Sequence, residues 1–558
     1  MKMLSSLTCL VPLSGLSCGL SAAGAAPTPS VNPYNEELAP VDFLMNLSRF
    51  LRSVRSPAVM ALMLGAAAPA WADVRLGTPF QDHAVLQRDR SVPVWGWADP
   101  GERVLVTLGN AAPVETAANG AGRWRVTLPA QPASATPVEL VAAGRNRLVV
   151  RDVLVGEVWL CSGQSNMEFR LRTAATAKED IASAEFPQIR QLKVARNPRT
   201  TRQEEAPAAW DVCSPVTAGE FSAVGYHFAR ELWQSLRVPV GLINCSHGNS
   251  HVEGWMSAEA LASEPEFKVV GDRWAEVMAK HPAALARYEV ALKKWEADSA
   301  AARAPGQKAP NKPSPPVGPN HQQEPAALFN GMISPVVPYA VRGFLWYQGE
   351  GNARRAAEYE QLFGALIRQW RSDFNAPDAP FFWVQLPGLE KMPPTTTHAD
   401  WIALREAQTA TLALPHTGQA VTLDVGDPTD IHPTRKREVG ERLARLARQR
   451  VYREAIADCG PELVRAVAQP GSVELTFTHA GDGLRIGGVA AQAFEIAGKD
   501  GQFVAVAAPE VLDGGRLGLP VPAGLRPTAV RQAWRAFPTG WLLNSDGLPA
   551  APFSRQLP

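Results

Sequence analysis

The string Gly163-Gln164-Ser165-Asn166-Met167 follows the apolar run Val158-Trp159-Leu160-Cys161 and places a hydroxyl where a buried strand gives way to a tight turn. A serine there projects from the C-terminal edge of a sheet, beside backbone N–H groups able to hold a developing oxyanion. Met167 stands where the G-x-S-x-G elbow requires glycine, so the ordinary α/β-hydrolase motif does not describe this turn. Far downstream, Asp430-Ile431-His432-Pro433 precedes a helical pattern. A histidine so placed can take the serine proton and return it to a leaving alcohol. Asp430, two residues earlier in an extended segment, points the same way and is a candidate to hold the imidazole tautomer.

Two further turns carry polar groups suited to the same chemistry. Trp346-Tyr347-Gln348-Gly349-Glu350-Gly351-Asn352 follows the strand pattern AVRGFL. Gln348 offers a neutral amide donor for a tetrahedral oxyanion, and Glu350 is the alternative partner for His432. Capping of the next helix is the other duty open to both. In Asn244-Cys245-Ser246-His247-Gly248-Asn249-Ser250-His251-Val252-Glu253-Gly254-Trp255, small residues let backbone N–H groups approach a ligand closely, so Gly248 and Asn249 are candidate oxyanion donors. Gln164, Asn166 and Trp255 are expected to contact substrate, with the core as the alternative place for Trp255. His247 and His251 form no H-E-x-x-H motif and have no third ligand at a suitable spacing, so no metal is expected.

The elements that must position these turns are legible in the apolar patterns. Residues 73–150 hold short alternating runs such as SVPVWGWA, RVLVTLG and RWRVTLP, separated by Gly, Pro and Asn. They predict a small antiparallel β-sandwich. From residue 151 to about 455 the strand runs VGEVWLCSGQ, VPVGLINC, AVRGFLWYQ, APFFWVQL and QAVTLDVG alternate with helical stretches, which implies a mostly parallel sheet covered on both faces. The helices include FSAVGYHFARELWQSL, AAEYEQLFGALIRQWRSDF and TRKREVGERLARLARQRVY. Residues 258–324 interrupt this alternation with a charged helical stretch and the Pro-rich APGQKAPNKPSPPVGPN, an exposed linker or flap edge. A β pattern returns over 456–558 in SVELTFT, GLRIGG, AFEIAG and FVAVA.

With 558 residues, 46% of them hydrophobic, the chain can bury several cores. Lys+Arg at 55 against Asp+Glu at 54 leaves a formal charge of +1, so no overall field draws it to nucleic acid or an anionic membrane. Sixteen tryptophans against seven tyrosines hint at sugar stacking, although core filling is the ordinary use of the ring. From Met45, a basic start at Arg49, Arg52 and Arg55, an apolar run and the ending Ala70-Trp71-Ala72 read as an export signal cleaved after Ala72. Residues 1–72 are therefore expected to be a targeting region, and the mature protein periplasmic or secreted. Cys161, Cys213, Cys245 and Cys459 are too widely spaced for a zinc site, and sequence assigns no pairing.

The four turns in this order, GQSNM, SHGNSHVEGW, WYQGE and DIHP, resemble the sialate O-acetylesterase family of SGNH-type hydrolases, related to acetylxylan esterases. The resemblance covers most of the chain after residue 72. It implies a flavodoxin-like three-layer α/β/α hydrolase domain with flanking β-sandwich domains, acting on an O-acetylated carbohydrate through a serine acyl-enzyme without a cofactor. It makes Ser165 the nucleophile, His432 the base and Gln348 an oxyanion-hole amide, and leaves the third member as Asp430, which we prefer, or Glu350. His247 and Asn249 depart from the family's S-W-G-G-T turn, which leaves Gly248 or Asn249 as the backbone donor. An acetylxylan or other polysaccharide deacetylase, and a carbohydrate-binding protein without activity, are the competing expectations. Oligomeric state is not legible.

Overall fold

The computed structural model describes residues 73–301 and 310–558. The expected export segment, and part of the Pro-rich stretch, lie outside the described residues. The chain is a mixed α/β protein. The strand Arg147–Gly163 (β1), 17 residues long, is its axis. Its first half pairs antiparallel with Ser134–Ala143, in the β-rich N-terminal region. Its second half lies between Val240–Ser246 (β4) and Gly343–Tyr347 (β5), parallel to both. Residues 150 and 151, where the sequence pattern changes, are thus consecutive positions of one strand, because an alternating half-exposed run continues directly into a fully buried one.

Phe186–Val194 (β2), Ala208–Cys213 (β3), Phe381–Val384 (β6) and Thr417–Ala420 (β7) complete the central sheet in the order β3-β2-β4-β1-β5-β6-β7. All neighbours are parallel except β3, which runs antiparallel to β2. From β1 the chain proceeds to one side of the sheet, and from β5 to the other. The strand order therefore reverses between β1 and β5, and the crevice at their C-terminal ends is where ligands bind in open parallel sheets.

Successive side chains of β1 and β5 enter two separate apolar clusters, as the period of two requires. Trp159, Cys161, Leu345 and Tyr347 join the helices Ala223–Leu236 (α1) and Lys436–Arg450. Leu160, Phe344 and Trp346 join the helices Ala356–Asp373 and His398–Ala410. Trp159, Trp346, Trp370, Trp383 and Trp401 are fully buried, so most of these rings fill core. Each large buried side chain contributes roughly 1.5–3 kcal/mol through removal of apolar area from water.

The insertion forms the helix Lys268–Ala301, with Pro282 inside it. Residues 310–318 fold back along that helix: the Trp295 indole donates to the Pro310 carbonyl at 2.8 Å, and His281 Nδ1 lies 3.0 Å from the Val317 carbonyl. The C-terminal strands surround an apolar cluster of their own that includes Val473, Leu475, Phe494 and Ile496. Arg405, fully buried, ties this region to the central sheet by donating to the carbonyls of Leu386, Pro387, Arg535 and Ala536. Cys161, Cys213, Cys245 and Cys459 are all free thiols. Among the described residues, no helix is long and apolar enough to cross a membrane.

Candidate active site

Ser165 opens a helical turn, Ser165–Glu168, directly after β1. The last residue of β1, Gly163, has φ +132°, and a Cβ there would lie 2.2 Å from the Tyr347 carbonyl oxygen, so only glycine lets the turn pass this close to β5. As the first residue of a helical turn, Ser165 has a backbone N–H with no intrahelical acceptor. His432 comes from the loop between β7 and the helix Lys436–Arg450. Its Nε2 lies 2.7 Å from Ser165 Oγ. The structure thus brings together two residues separated by 267 positions.

The two candidate acids are placed differently. Asp430 Oδ1 lies 3.6 Å from His432 Nδ1, with 60% of its side chain exposed, and accepts the backbone N–H of His432 at 2.8 Å. Its carboxylate therefore fixes the loop as well as facing the ring. Glu350, buried, lies instead against Asn166, whose Nδ2 donates to Glu350 Oε1 at 2.5 Å and to the Ile431 carbonyl at 3.0 Å. Asn166 Oδ1 in turn accepts from Lys436 Nζ at 2.5 Å. Lys436 is buried, with its ammonium 4.8 Å from the ring centre of Phe169 and 5.2 Å from that of Tyr347. Glu350, Asn166 and Lys436 therefore form a buried bridge from the β5 turn, behind the serine, to the histidine loop.

Burial dominates the titration of these groups. It lowers the pKa of the His432 imidazole, with Asp430 pulling upward and Lys436 pushing further down, so the ring is neutral and able to accept a proton at pH 7. It pushes Lys436 down to about 7 against the attraction of Glu350 and Asp430. It raises Glu350, against hydrogen bonds from the backbone and from Asn166 and the attraction of Lys436.

The other expected site residues are placed as follows. Gln164 is buried, and its Oε1 accepts the N–H groups of Gly349 and Gly351 at 3.4 and 3.3 Å, clamping the β5 turn. Asn166 is fully buried in the bridge. Trp255 is core, its ring edge-on to Trp346 and its indole N–H donating to Ser250 Oγ. Gln348 is fully buried too, with Nε2 committed to the Ser250 carbonyl at 3.2 Å and Asn352 Oδ1 at 2.8 Å, so it braces the β4 turn from behind. Gly248 does lie beside the serine, since a Cβ on it would sit 3.5 Å from Ser165 Cβ, but its N–H donates to Glu168 Oε2 at 3.0 Å. Asn249 occupies the left-handed region at φ +55°, which asparagine tolerates.

Sequence reasoning missed Glu168, Arg196 and Lys436. Arg196 forks onto both Glu168 oxygens at 2.6 Å, fixing the carboxylate that holds Gly248. Glu168 stands three residues after Ser165 on the same helical turn, and Lys436 four after His432, spacings that could have singled them out. Among the described residues, one group, Asp458, Cys459 and His479, gathers metal-ligand atoms within 4.8 Å. It includes none of the candidate site residues, and Asp458 already pairs with Arg450 at 2.5 Å.

Comparison with known proteins agrees with this arrangement. Residues 155–291 and 323–449 match the family model described as carbohydrate esterase, sialic acid-specific acetylesterase. The match contains every turn described here. The solved structure of a carbohydrate acetylesterase from Xanthomonas citri is 37% identical, with a TM-score of 0.72, and the alignment covers 87% of this chain and 99% of that one. Sialate O-acetylesterase of Mus musculus is 27% identical over 446 residues, 72% of this chain and 79% of the mouse protein. The Homo sapiens enzyme of the same name is 27% identical over 474 residues, 75% and 80% of the two chains. The chain belongs to the sialate O-acetylesterase family of carbohydrate esterases and is a carboxylic-ester hydrolase.

Proposed function

We propose that the protein removes O-acetyl groups from sialic acid or a closely related sugar through an acetyl-enzyme on Ser165. The observation that carries the reading is the 2.7 Å contact between Ser165 Oγ and His432 Nε2 at the strand-order reversal of a parallel sheet. His432, neutral at pH 7, takes the Ser165 proton as Oγ attacks the acetyl carbonyl, then gives it to the departing sugar hydroxyl. Water, deprotonated by the same ring, then releases acetate. Asp430 steadies the imidazole from the Nδ1 side.

The oxyanion faces the Ser165 N–H, which has no helical acceptor, with the Gly248–Asn249 turn adjoining it. Gln348 acts at one remove by holding Ser250, the residue that follows this turn. The sheet with helices on both faces, and the β-rich regions before and after it, support an SGNH-type three-layer hydrolase with flanking β-sandwiches. Export to the periplasm or outside the cell is the setting we propose, on the strength of the basic, apolar and small-residue segment from Met45 to Ala72. A second reading keeps the mechanism and changes the sugar, because the relative at 37% identity is named for carbohydrate acetyl esters in general.

Acetate release from O-acetylated N-acetylneuraminic acid and from acetylated xylan, compared at equal acetyl concentration, tests the substrate. Faster release from the sialic acid is expected. Release from xylan alone would move the assignment to a polysaccharide.

A further inference from the structure

One cavity on the described surface, of about 660 Å³, does not include Ser165. It lies against the three-stranded sheet of the N-terminal region, where Val92–Trp97 pairs antiparallel with Arg123–Leu128. Trp95 stands opposite Arg125 and Trp97 opposite Arg123, so two indoles and two guanidinium groups share one face of the sheet. The rings are fixed before any ligand arrives. Trp95 packs edge-on against Phe80 at 4.8 Å. The Trp97 indole N–H donates to Glu204 Oε2 at 2.9 Å, and the Arg75 guanidinium lies 5.0 Å from its ring centre.

Charge in the cavity is unbalanced. Glu204 answers Arg123. Arg125 and Arg202 also line the cavity, are exposed, and have no carboxylate within 4 Å among the described residues; Arg202 lies over the Phe329 ring, and its charge acts at longer range on Glu259 and Asp373.

We propose that this cavity is a second carbohydrate site, separate from the hydrolytic one, which takes a saccharide bearing a carboxylate. Indole faces pack on the apolar face of a pyranose ring, and a guanidinium fork matches a carboxylate. The chain is close to neutral, so the preference for an anion comes from this local surplus and not from a global field. The site would hold an acidic residue of the glycan while the acetyl ester is cleaved elsewhere; that purpose rests on the esterase reading, but the recognition chemistry does not.

Binding of D-glucuronic acid, N-acetylneuraminic acid and D-glucose to the full-length protein, followed by calorimetry and tryptophan fluorescence, tests the proposal. The wild type is expected to bind at least one of the two acids and to bind glucose about tenfold more weakly or not at all. Glucuronic acid binding alone points to a uronic-acid glycan, and N-acetylneuraminic acid binding alone to a sialylated one. Arg125→Ala and Arg202→Ala, at exposed positions outside the hydrolytic machinery, are each expected to weaken acid binding about tenfold or more. Hydrolysis of 4-nitrophenyl acetate should not change in either variant. Equal binding of glucose, no binding of either acid at millimolar concentration, or binding indifferent to both substitutions would overturn it. A wild type that binds the acid but hydrolyses no ester would instead reject the esterase reading and leave this site standing.

Discussion

Asn166→Ala tests the buried bridge most sharply, because one side chain serves three partners. Its loss leaves Glu350 Oε1, the Ile431 carbonyl and Lys436 Nζ without the bonds of 2.5, 3.0 and 2.5 Å that satisfy them. A buried group left unpaired costs about 1–3 kcal/mol, more when charged. Three groups in one network do not add, so a loss of about 3–5 kcal/mol in stability is expected. The catalytic consequence runs through Ile431, the residue beside His432: with its carbonyl released, the imidazole loses its fixed distance to Ser165 Oγ. A misplacement of about 1 Å costs on the order of 10²-fold in rate, so kcat should fall by about that factor with little change in KM. Asn166→Asp keeps the shape and the contact with Lys436 but sets a carboxylate against Glu350. Its stability deficit should therefore shrink as pH falls and Glu350, whose pKa burial already raises, takes up a proton. Denaturant unfolding and steady-state hydrolysis of 4-nitrophenyl acetate measure both effects. An Asn166→Ala protein within about 0.5 kcal/mol of wild type and with unchanged kcat would refute the bridge as a positioning device.

Other predictions follow from the same charges. Lys436 lowers the pKa of His432 and Asp430 raises it, so in the pH profile of kcat/KM the acidic limb should move to higher pH in Lys436→Met and to lower pH in Asp430→Asn. Lys436 has a folded value of about 7 against an ordinary 10.5, so the unfolded chain binds the extra proton between these values. The penalty of burying the cation is complete below pH 7 and is relieved as pH rises from 7 toward 10.5. Unfolding free energy measured at pH 7 and 9 should rise with pH more steeply in wild type than in Lys436→Met. Gln348→Ala should destabilise the protein by removing the donor to Ser250 and Asn352, while kcat falls by less than the 10²–10³ that loss of a direct oxyanion donor costs, a contrast read by parallel unfolding and kinetics.

The parallel strands and the helices on either side of them are legible because their apolar periods are long: β1, β4, β5 and β6 are buried along their central runs and read as apolar stretches, with Glu157 and Asn244 among the few polar residues in them. Strand β2 and the edge strand β3 are not legible as strands of this sheet, since FPQIRQLKV carries Gln, Arg and Lys among its apolar residues and β3 pairs only with it. The helix His398–Ala410 was also passed over, although Thr397 and Asp400 form a capping box that announces it. At the site, the meeting of Ser165 and His432 was foreseeable from their turns. The duties of Gln164, Asn166 and Gln348 were not. A polar residue at a turn looks the same in sequence whether it meets a ligand or a buried partner 184 positions away, as Asn166 meets Glu350. The decisive fact is burial, which depends on the β5 turn closing over the β1 turn, a contact no local pattern encodes.

The central claim is that Ser165 carries the acetyl group between the two halves of the reaction. Rapid acid quenching of the protein with 4-nitrophenyl acetate, followed by peptide mass spectrometry, reads this directly. The account predicts one acetyl group on the peptide containing Ser165, formed within a turnover, lost on further incubation and missing from Ser165→Ala, which should also be inactive. Full turnover by Ser165→Ala, or an acetyl group on a different residue during turnover, would contradict it.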